Sequence, residues 1–411
     1  MFDAVIQARR RHGPQGSYDL WLLVALIGLA SVGVVMVTSS SIAVADSSHV
    51  GSFYYLKKDL LFLALGVVAA GVAMRIELKL LEKYAFPLLG LAVILLLAVF
   101  VPHLGMRING AHRWLNFVVT SFQPVEAVKL ILVVYVASYL MRHRDSMETE
   151  FWGLIKPVAV ALVIVLLLLM QPDFGSATLV ISVTIAMVWL GGARPLYLCL
   201  MGAPLMPFLY VAATGESYRV KRLTSFMNPW EHPFTDGFQL TQSLMAIGRG
   251  EWTGVGLGSS VLKLSYLPEA HTDFIFAVIG EELGLAGVLM VMGLYALAVG
   301  RGLYLGLRGV EIGQRFAGYI AFGISLMLAL QAIVSVGVNL GALPTKGLTL
   351  PLISYGGSSM VLTCAMAGVL LRATFEINRA LDARQMAKRL PEAVAAADAN
   401  SALAAREAAA A

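Results

Sequence analysis

The sequence predicts an all-α polytopic membrane protein with about ten transmembrane helices and a large extracytoplasmic loop between helices 7 and 8. Of the 411 residues, 58% are hydrophobic and 13% are charged, whereas soluble domains have about 45–50% apolar and about 25% charged residues. The mean hydropathy is +0.78. Most apolar runs approach the roughly 20 residues that cross a bilayer. This composition excludes a soluble or disordered chain.

The apolar runs lie between charged residues and turn residues. They cover residues 20–41, 59–74, 84–101, 124–141, 157–170, 177–191, 195–213, 272–299, 315–338 and 357–375. The fifth and sixth runs are short and flank the QPDFG turn at 171–175, so they either cross separately or form a re-entrant pair. The Gly/Pro-rich stretch at 191–195 either separates two helices or kinks one long helix.

The distribution of basic residues predicts the orientation. With the N-terminus in the cytoplasm, most of the 30 Lys and Arg residues fall in cytoplasmic segments, as the positive-inside rule requires. The apolar core of the first run, 20–37, exceeds the roughly 7–15 residues of a signal peptide, so we expect an uncleaved anchor. The sequence therefore predicts a cytoplasmic segment (1–18), a membrane domain (19–378, with the loop at 214–271) and an Ala-rich cytoplasmic tail (379–411).

Charge and cysteine content exclude other classes. The net charge is +5 and the basic residues stand between apolar runs, so they indicate membrane topology and not a nucleic-acid groove. The two cysteines, Cys199 and Cys364, each lie inside an apolar run. They form neither a disulfide framework nor a cysteine metal cluster.

Ionisable residues inside the spans concentrate near the extracytoplasmic ends. Insertion of one ionisable side chain at mid-bilayer costs roughly 2.5–3.5 kcal/mol of free energy, so each such residue needs a partner, a water-filled cavity or a function. Their asymmetry predicts a polar cavity that opens to the outside and is closed by apolar packing below. The residues on this side are Glu126, Lys129, Asp173, Asp273, Lys346 and the SYGGSS stretch at 354–359.

Each feature also has a structural interpretation. Glu126 and Lys129, at i and i+3, are equally compatible with an ion pair. Asp173 is equally compatible with a helix cap, and 354–359 with a helix-packing surface. His271 is an interfacial residue or a substrate contact.

Two further features accompany Asp273. Glu281 and Glu282 lie about 12–14 Å further along a straight helix, where they form the cavity floor or pair with a base such as Lys129. The 214–271 loop begins with basic and aromatic residues, and 239–247 predicts a short amphipathic helix. The glycine-rich turn at 248–258 lacks the spacing of a phosphate-binding P-loop, so it is a weak signal.

Three stretches resemble the SEDS family of bacterial cell-wall polymerases: HTDFIFAVIGEELG at 271–284, QPDFGS at 171–176 and LPTKGLTLPLISYGGSS at 343–359. The likeness extends in order and spacing over roughly residues 18–378. Within the family, residues 344–351 are similar to the division-type members, whereas elongation-type members usually lack the lysine.

The resemblance implies a peptidoglycan glycosyltransferase that acts on lipid II at the outer face of the bacterial inner membrane during septal wall synthesis. It implies that Asp273 is the catalytic aspartate and that Glu126 and Lys129 match the family's fourth-helix pair. The expected partners are a class B penicillin-binding protein, which is the division transpeptidase, and other membrane proteins of the divisome. No nucleic-acid partner is expected.

The expected mechanism is inverting transfer with Asp273 as general base and undecaprenyl pyrophosphate as leaving group. The leaving group needs charge neutralisation by cationic side chains or by a divalent cation, Mg²⁺ or Mn²⁺. Candidate substrate-binding residues are Lys346, Glu126, Lys129, Arg107, Arg113, Asp173, Arg219, Glu269, His271 and Ser358.

Two other function classes compete with a polymerase. A flippase for polyprenyl-linked precursors needs a polar path through the membrane or alternating access, often with internal repeats, and the sequence shows neither. A non-enzymatic scaffold for a division complex explains the spans but not the clustered carboxylates and lysines.

Overall fold

The computed structural model describes most of the chain and resolves it into helices and one small sheet. The described residues are 16–47, 51, 53–108, 111–117, 120–144, 151–215, 226–231, 233–235, 237–262, 270–344 and 347–410.

The elements follow one another along the chain as helices with a single three-stranded insertion. They are α1 (Leu20–Ser47), α2 (Tyr54–Arg75), α3 (Leu78–Lys83), α4 (Ala85–Ala98), β1 (Gly105–Ile108), β2 (Ala111–Phe117), β3 (Thr120–Phe122), α5 (Pro124–Arg142), α6 (Phe151–Met170), α7 (Phe174–Leu190), α8 (Pro195–Thr214), α9 (Phe238–Gly250), α10 (Ile275–Glu311), α11 (Arg315–Asn339) and α12 (Gly357–Ala410).

Within the described residues, six helices are long and apolar enough to cross a membrane: α1, α5, α6, α10, α11 and α12. Two further apolar helices, α4 and α7, are shorter. An apolar segment is stable in lipid only if its backbone N–H and C=O groups are hydrogen-bonded internally, and a helix achieves this. The chain is therefore a mainly helical, multi-pass membrane protein.

Two boundaries that the sequence left open are resolved. The helix α7 ends at Leu190 and α8 begins at Pro195, so the Gly/Pro-rich stretch separates two helices. The helix α6 has 20 residues and begins at Phe151, earlier than the predicted 157. It accommodates Pro157, which cannot donate to the Gly153 carbonyl, because that carbonyl accepts from the Tyr139 hydroxyl at 2.7 Å. Its length favours a crossing over the re-entrant alternative.

The innermost helices are α5 and α11. In α5, 83% of the spanning window is buried inside the protein, and in α11 72%, against 28% for α10. The long helix α12 packs along α2 and α11, and α10 packs against α11 and α1. Polar side chains on α5 are therefore enclosed by protein and not by lipid, which makes their partners identifiable.

Helix α10 is not straight, contrary to the sequence-based expectation. Gly284 has φ 63° and ψ −162°, so the helix breaks there. The backbone of the loop after α9 fills the break: a Cβ on Gly284 would lie 2.3 Å from the Gly254 nitrogen. The break follows Glu281 and Glu282 along the chain, so it changes the course of α10 beyond them, and the expected spacing from Asp273 to these residues stays a prediction.

The segment between α4 and α5 forms a small antiparallel sheet in the order β1–β2–β3. Leu115 lies opposite both Gly105 and Phe122, and the β1–β2 register shifts between Met106 and Arg107. The sequence analysis did not predict these strands, which are short and belong to no apolar run. They bring Arg107 and Arg113 to the end of the bundle that also carries the α6–α7 turn.

A cluster of polar contacts fixes the start of α1. The Asp19 carboxylate accepts from the Leu22 N–H at 2.8 Å and from the Arg301 guanidinium. Burial disfavours the charged form, but the hydrogen bonds from Arg301 and Leu22 outweigh it and hold the pKa of Asp19 below its ordinary value of 3.8. The carboxylate therefore caps α1 and ties it to α10.

This cluster makes a pH-dependent contribution to stability. We expect Asp19→Ala to lower the free energy of unfolding at neutral pH by about 0.5–2 kcal/mol through the lost cap. Asp19→Asn keeps a capping oxygen and loses only the charge, so its deficit is smaller. Because the pKa of Asp19 is lowered on folding, the advantage of wild type over Asn is complete above pH 3.8 and disappears as the pH falls below it. Thermal unfolding in detergent at neutral and acid pH measures both, and a pH-independent deficit of the Asn variant contradicts the assignment.

Candidate active site

Asp273 lies in the turn of residues 270–274 that leads into α10, and its side chain is half-buried. The backbone at Gly347 passes directly beside it. A Cβ built on Gly347 would stand 2.9 Å from Asp273 Oδ2, closer than side-chain contacts allow. The carboxylate therefore lies between the start of α10 and the segment 347–356, at a place that only a glycine leaves open.

The structure brings together the three stretches that the sequence analysis singled out. The segment 347–356 contacts 271–273 through the Tyr355 N–H, which donates to the His271 carbonyl at 3.0 Å. A Cβ on Gly175 would be in ordinary contact, 3.4 Å, with the Leu348 side chain. The 171–176 stretch thus lies next to the segment that borders Asp273.

Glu126 and Lys129 form an ion pair inside the bundle. Lys129 Nζ lies 2.7 Å from Glu126 Oε1, and Lys129 is fully buried while Glu126 is 5% exposed. The second oxygen, Glu126 Oε2, is buried with no hydrogen-bond partner. Buried charges require such pairing, and an unsatisfied carboxylate oxygen raises the cost of burial. The ion pair that the sequence left as an alternative is therefore present.

A chain of hydrogen bonds leads from this pair to the segment beside Asp273. Lys129 Nζ donates to Gln331 Oε1 at 3.2 Å, and Gln331 Nε2 donates to the Thr349 carbonyl at 3.0 Å. The Thr349 and Ser359 hydroxyls lie 3.3 Å apart. The charge on α5 thus fixes α11 and the 347–350 backbone, two residues from the Gly347 approach.

Asp173 acts as a helix cap in this structure. Its carboxylate accepts from the Ser176 N–H at 3.2 Å at the start of α7. Arg113 Nε donates to the Gln171 carbonyl at 3.2 Å, and its guanidinium also donates to the Pro172 carbonyl. Arg113 thus links the β-sheet to the α6–α7 turn, and two of its donors are engaged by the chain itself.

Ser358 and His271 also have protein contacts. The Ser358 hydroxyl accepts from the Gln123 N–H at 3.1 Å, just before α5. The His271 ring packs with Tyr55 and Tyr355, with ring centroids 5.1 and 5.5 Å away. These contacts join α2, α12 and the turn before α10 around the site.

The remaining candidate residues are either exposed or not described. Arg107 is an exposed residue of β1. Lys346, Arg219 and Glu269 lie outside the described residues.

Glu281 and Glu282 are both buried and face the loop that follows α9. Glu281 accepts from Arg249, whose Nη1 lies 3.3 Å from Oε1, and from the Ser260 hydroxyl. Glu282 accepts from the Ser39 hydroxyl of α1 at 2.6 and 2.8 Å. The suggested pairing with Lys129 is wrong, because Lys129 pairs with Glu126, whereas Arg249 pairs with Glu281 and Ser39 donates to Glu282.

The glycine-rich turn has a structural role. The N–H groups of Val255 and Gly256 donate to the carbonyls of Glu281 and Glu282 at 3.0 and 3.1 Å. The backbone N–H groups that a phosphate would need are thus hydrogen-bonded to α10 just before its break at Gly284. The helix α9, at 238–250, confirms the amphipathic helix predicted just before this turn.

Asp59 is a buried charged residue near the site that the sequence pattern does not single out. This α2 residue is 1% exposed and its Oδ2 has no hydrogen-bond partner. Burial, together with the negative charge of Asp59, raises the pKa of the Tyr355 phenol to about 12. The apolar run predicted for this helix began at Asp59, so the residue looked like a boundary.

Within the ranges that the structure describes, no three His, Cys, Asp or Glu side chains converge to hold a metal ion. The expected divalent cation, Mg²⁺ or Mn²⁺, stays a prediction.

The helices define a multi-pass membrane protein whose candidate site lies around Asp273, where three loop segments meet. Residues 20–379 match the family model FTSW_RODA_SPOVE, described as Cell cycle protein. The chain belongs to this family, the SEDS proteins.

Its relatives place it among the division-type members. It is 54% identical over 380 residues to a probable peptidoglycan glycosyltransferase FtsW of Xanthomonas oryzae pv. oryzae, covering 92% of this chain and 77% of that protein. It is 45% identical to the corresponding protein of Thioalkalivibrio sulfidiphilus, covering 89% and 93%. The similarity to these relatives and the six apolar helices together identify the chain as a multi-pass protein of the bacterial inner membrane.

Solved structures agree with the fold. A chain from a peptidoglycan synthase complex that coordinates polymerization and crosslinking is 29% identical, with a TM-score of 0.71 and coverage of 88% of this chain and 98% of that one. The rod shape determining protein RodA of Thermus thermophilus is 29% identical, with a TM-score of 0.64 and coverage of 87% and 97%.

Proposed function

We propose that this chain is a peptidoglycan glycosyltransferase that polymerises lipid II into glycan strands at the outer face of the inner membrane during septal wall synthesis. The observation that carries the proposal is the half-buried Asp273 carboxylate, bordered by the Gly347 backbone where three loop segments meet. The relatives named as peptidoglycan glycosyltransferases support the same activity.

The proposed topology has ten spans, with α3 and α4 forming the third, and both termini in the cytoplasm. In this topology the loops after spans 3, 5, 7 and 9 share the extracytoplasmic side. Contacts between them support it: Arg113 reaches the α6–α7 turn, Gly175 approaches Leu348, and Gly347 approaches Asp273. Residues 19–378 then form the membrane domain, 214–271 its large outer loop and 379–411 a cytoplasmic tail.

In the proposed reaction, Asp273 acts as general base. It takes the proton from the 4-hydroxyl of the acceptor sugar while that oxygen forms a bond to the anomeric carbon of the donor. The bond from this carbon to the pyrophosphate oxygen breaks with inversion, and undecaprenyl pyrophosphate leaves with the electron pair. A positioned base of this kind contributes about 10²–10⁴-fold.

The leaving pyrophosphate accumulates negative charge and needs cations. Lys346 is the proposed first candidate, because it adjoins Gly347, which borders Asp273. Arg107 and Arg219 are further candidates. Arg113 is a weaker one, since the carbonyls of Gln171 and Pro172 already engage its donors.

The proposed partner is a class B penicillin-binding protein that crosslinks the strands, together with other divisome membrane proteins at the septum. The similarity to a chain from a complex that coordinates polymerization and crosslinking supports this pairing.

Incubation of the purified chain with lipid II, with and without the penicillin-binding partner, tests the proposal, with glycan polymer followed by gel electrophoresis. Polymer made by the chain, alone or with a transpeptidase-inactive partner that has no polymerase activity of its own, supports it. Translocation of lipid II across vesicles without polymer favours the flippase, and neither activity favours a scaffold.

Gly347 provides a sharp local test of the site. We expect Gly347→Ala to reduce polymerisation by about 10²-fold, because the added methyl group displaces the Asp273 carboxylate and small misplacements of a catalytic group are costly. Gly356→Ala in the same segment is the matched control, since its Cβ would meet its nearest neighbour at an ordinary 3.4 Å. Equal polymerisation rates for both variants would contradict the geometry.

A further inference from the structure

Every backbone carbonyl from His271 to Asp273 accepts a hydrogen bond from another part of the chain. The His271 carbonyl accepts from the Tyr355 N–H at 3.0 Å, and the Thr272 carbonyl from the Ser354 hydroxyl at 2.6 Å. The Asp273 carbonyl accepts from Asn339 Nδ2 at 3.0 Å. The three peptides that follow His271, Thr272 and Asp273 are thus held by residues from other parts of the chain.

Asn339 makes the bond that lies closest to the carboxylate. It is the last residue of α11 and is fully buried. Its Nδ2 also donates to the Ser335 carbonyl at 2.8 Å, and its Oδ1 accepts from the Ala277 N–H at 3.1 Å in the first turn of α10. The Ser243 hydroxyl of α9 donates to the Asn339 carbonyl at 2.8 Å. One amide therefore connects the end of α11 to the carbonyl of Asp273 and to the first turn of α10.

The chemistry of these contacts requires an amide. A primary amide has two N–H donors and an acceptor oxygen, and here both donors and the oxygen are used. Aspartate matches its shape but supplies no donor when ionised, so it would place a carboxylate oxygen against the Asp273 carbonyl. Alanine would leave a buried carbonyl and a buried N–H without partners, each at a cost.

We infer that Asn339 is a positioning residue for Asp273. It fixes the peptide that follows Asp273 and the first turn of α10, and thereby the direction in which the carboxylate points. The inference rests on the proposed function, because it assumes that Asp273 carries out the proton transfer. A general base must lie within about 2.6–3.2 Å of its proton, and a displacement of about 1 Å costs on the order of 10²-fold in rate.

The experiment measures kcat and KM for lipid II polymerisation by Asn339→Asp and Asn339→Ala, in complex with the penicillin-binding partner. We expect kcat to fall by about 10²-fold while KM changes by less than about threefold, because the residue does not touch substrate. Ser335→Ala is the matched control: it lies one turn earlier on α11, and its hydroxyl is buried without a partner. It should keep the wild-type kcat.

Rates are normalised to the folded fraction, measured by size exclusion and thermal unfolding in detergent. If Asn339→Asp does not fold, Asn339→Ala decides. A folded variant with wild-type kcat, or a loss confined to KM, overturns the inference while the polymerase assignment stands. Absence of polymer from the wild-type complex refutes the proposed function instead, so the two failures are distinguishable.

Discussion

Replacement of Asp273 by Asn is expected to abolish glycan polymer formation and leave the fold intact. Asn has nearly the same volume as Asp but cannot accept the proton of the attacking hydroxyl at neutral pH. The expected loss is about 10²–10⁴-fold in rate, which a gel assay records as a near-complete loss of glycan polymer. Because the Asp273 backbone carbonyl, and not its carboxylate, bonds to Asn339, the substitution keeps this connection to α11.

The control for this prediction is the same substitution at Asp19, Asp19→Asn. Asp19 precedes α1 and pairs with Arg301, which lies near the opposite end of α10 from Asp273. The Asp19 variant should retain polymerisation, so a loss in the Asp273 variant alone is chemical. A purified, folded Asp273→Asn variant that polymerises lipid II as fast as wild type would remove this residue from catalysis.

Most of the fold was accessible from the sequence, because apolar runs bounded by charges must become internally hydrogen-bonded helices in lipid. The missed features have no such signal. The β-sheet is built from short strands of mixed polarity, and its β1–β2 register contains a shift. The break at Gly284 lies inside a single predicted span, directly after Glu281 and Glu282, and depends on a loop that returns to the helix from about 30 residues away in sequence.

The site was accessible only in part. Asp273, Glu126 and Lys129 stand out because charges within spans are expensive, and the family resemblance adds to that signal. The roles of Gln331 and Asn339 depend on contacts across 18 and 66 residues of sequence, and buried amides in apolar helices give no periodic pattern. Asp173 and Ser358 were candidates for substrate binding, and their observed hydrogen bonds to backbone N–H groups are contacts that sequence spacing alone does not reveal.

The buried pair on α5 gives the second large effect. We expect Lys129→Met to lower the free energy of unfolding by about 3–5 kcal/mol, because it leaves the Glu126 carboxylate buried without a countercharge. The double variant Glu126→Gln/Lys129→Met removes both charges and should recover most of this loss, since a buried pair is often replaceable by neutral side chains of similar size. Thermal and denaturant unfolding in detergent compare the three variants, including Glu126→Gln alone.

Polymerisation by the double variant then separates stability from function. Lys129 is also the donor to Gln331, whose amide holds the Thr349 carbonyl close to the Gly347 approach at Asp273. Met cannot donate, so the double variant should fold yet polymerise at least about tenfold more slowly, which is the scale of one lost hydrogen bond to a charged group. Wild-type polymerisation by the stable double variant would mean that the pair serves only helix packing, and a double variant no more stable than Lys129→Met would contradict the pairing itself.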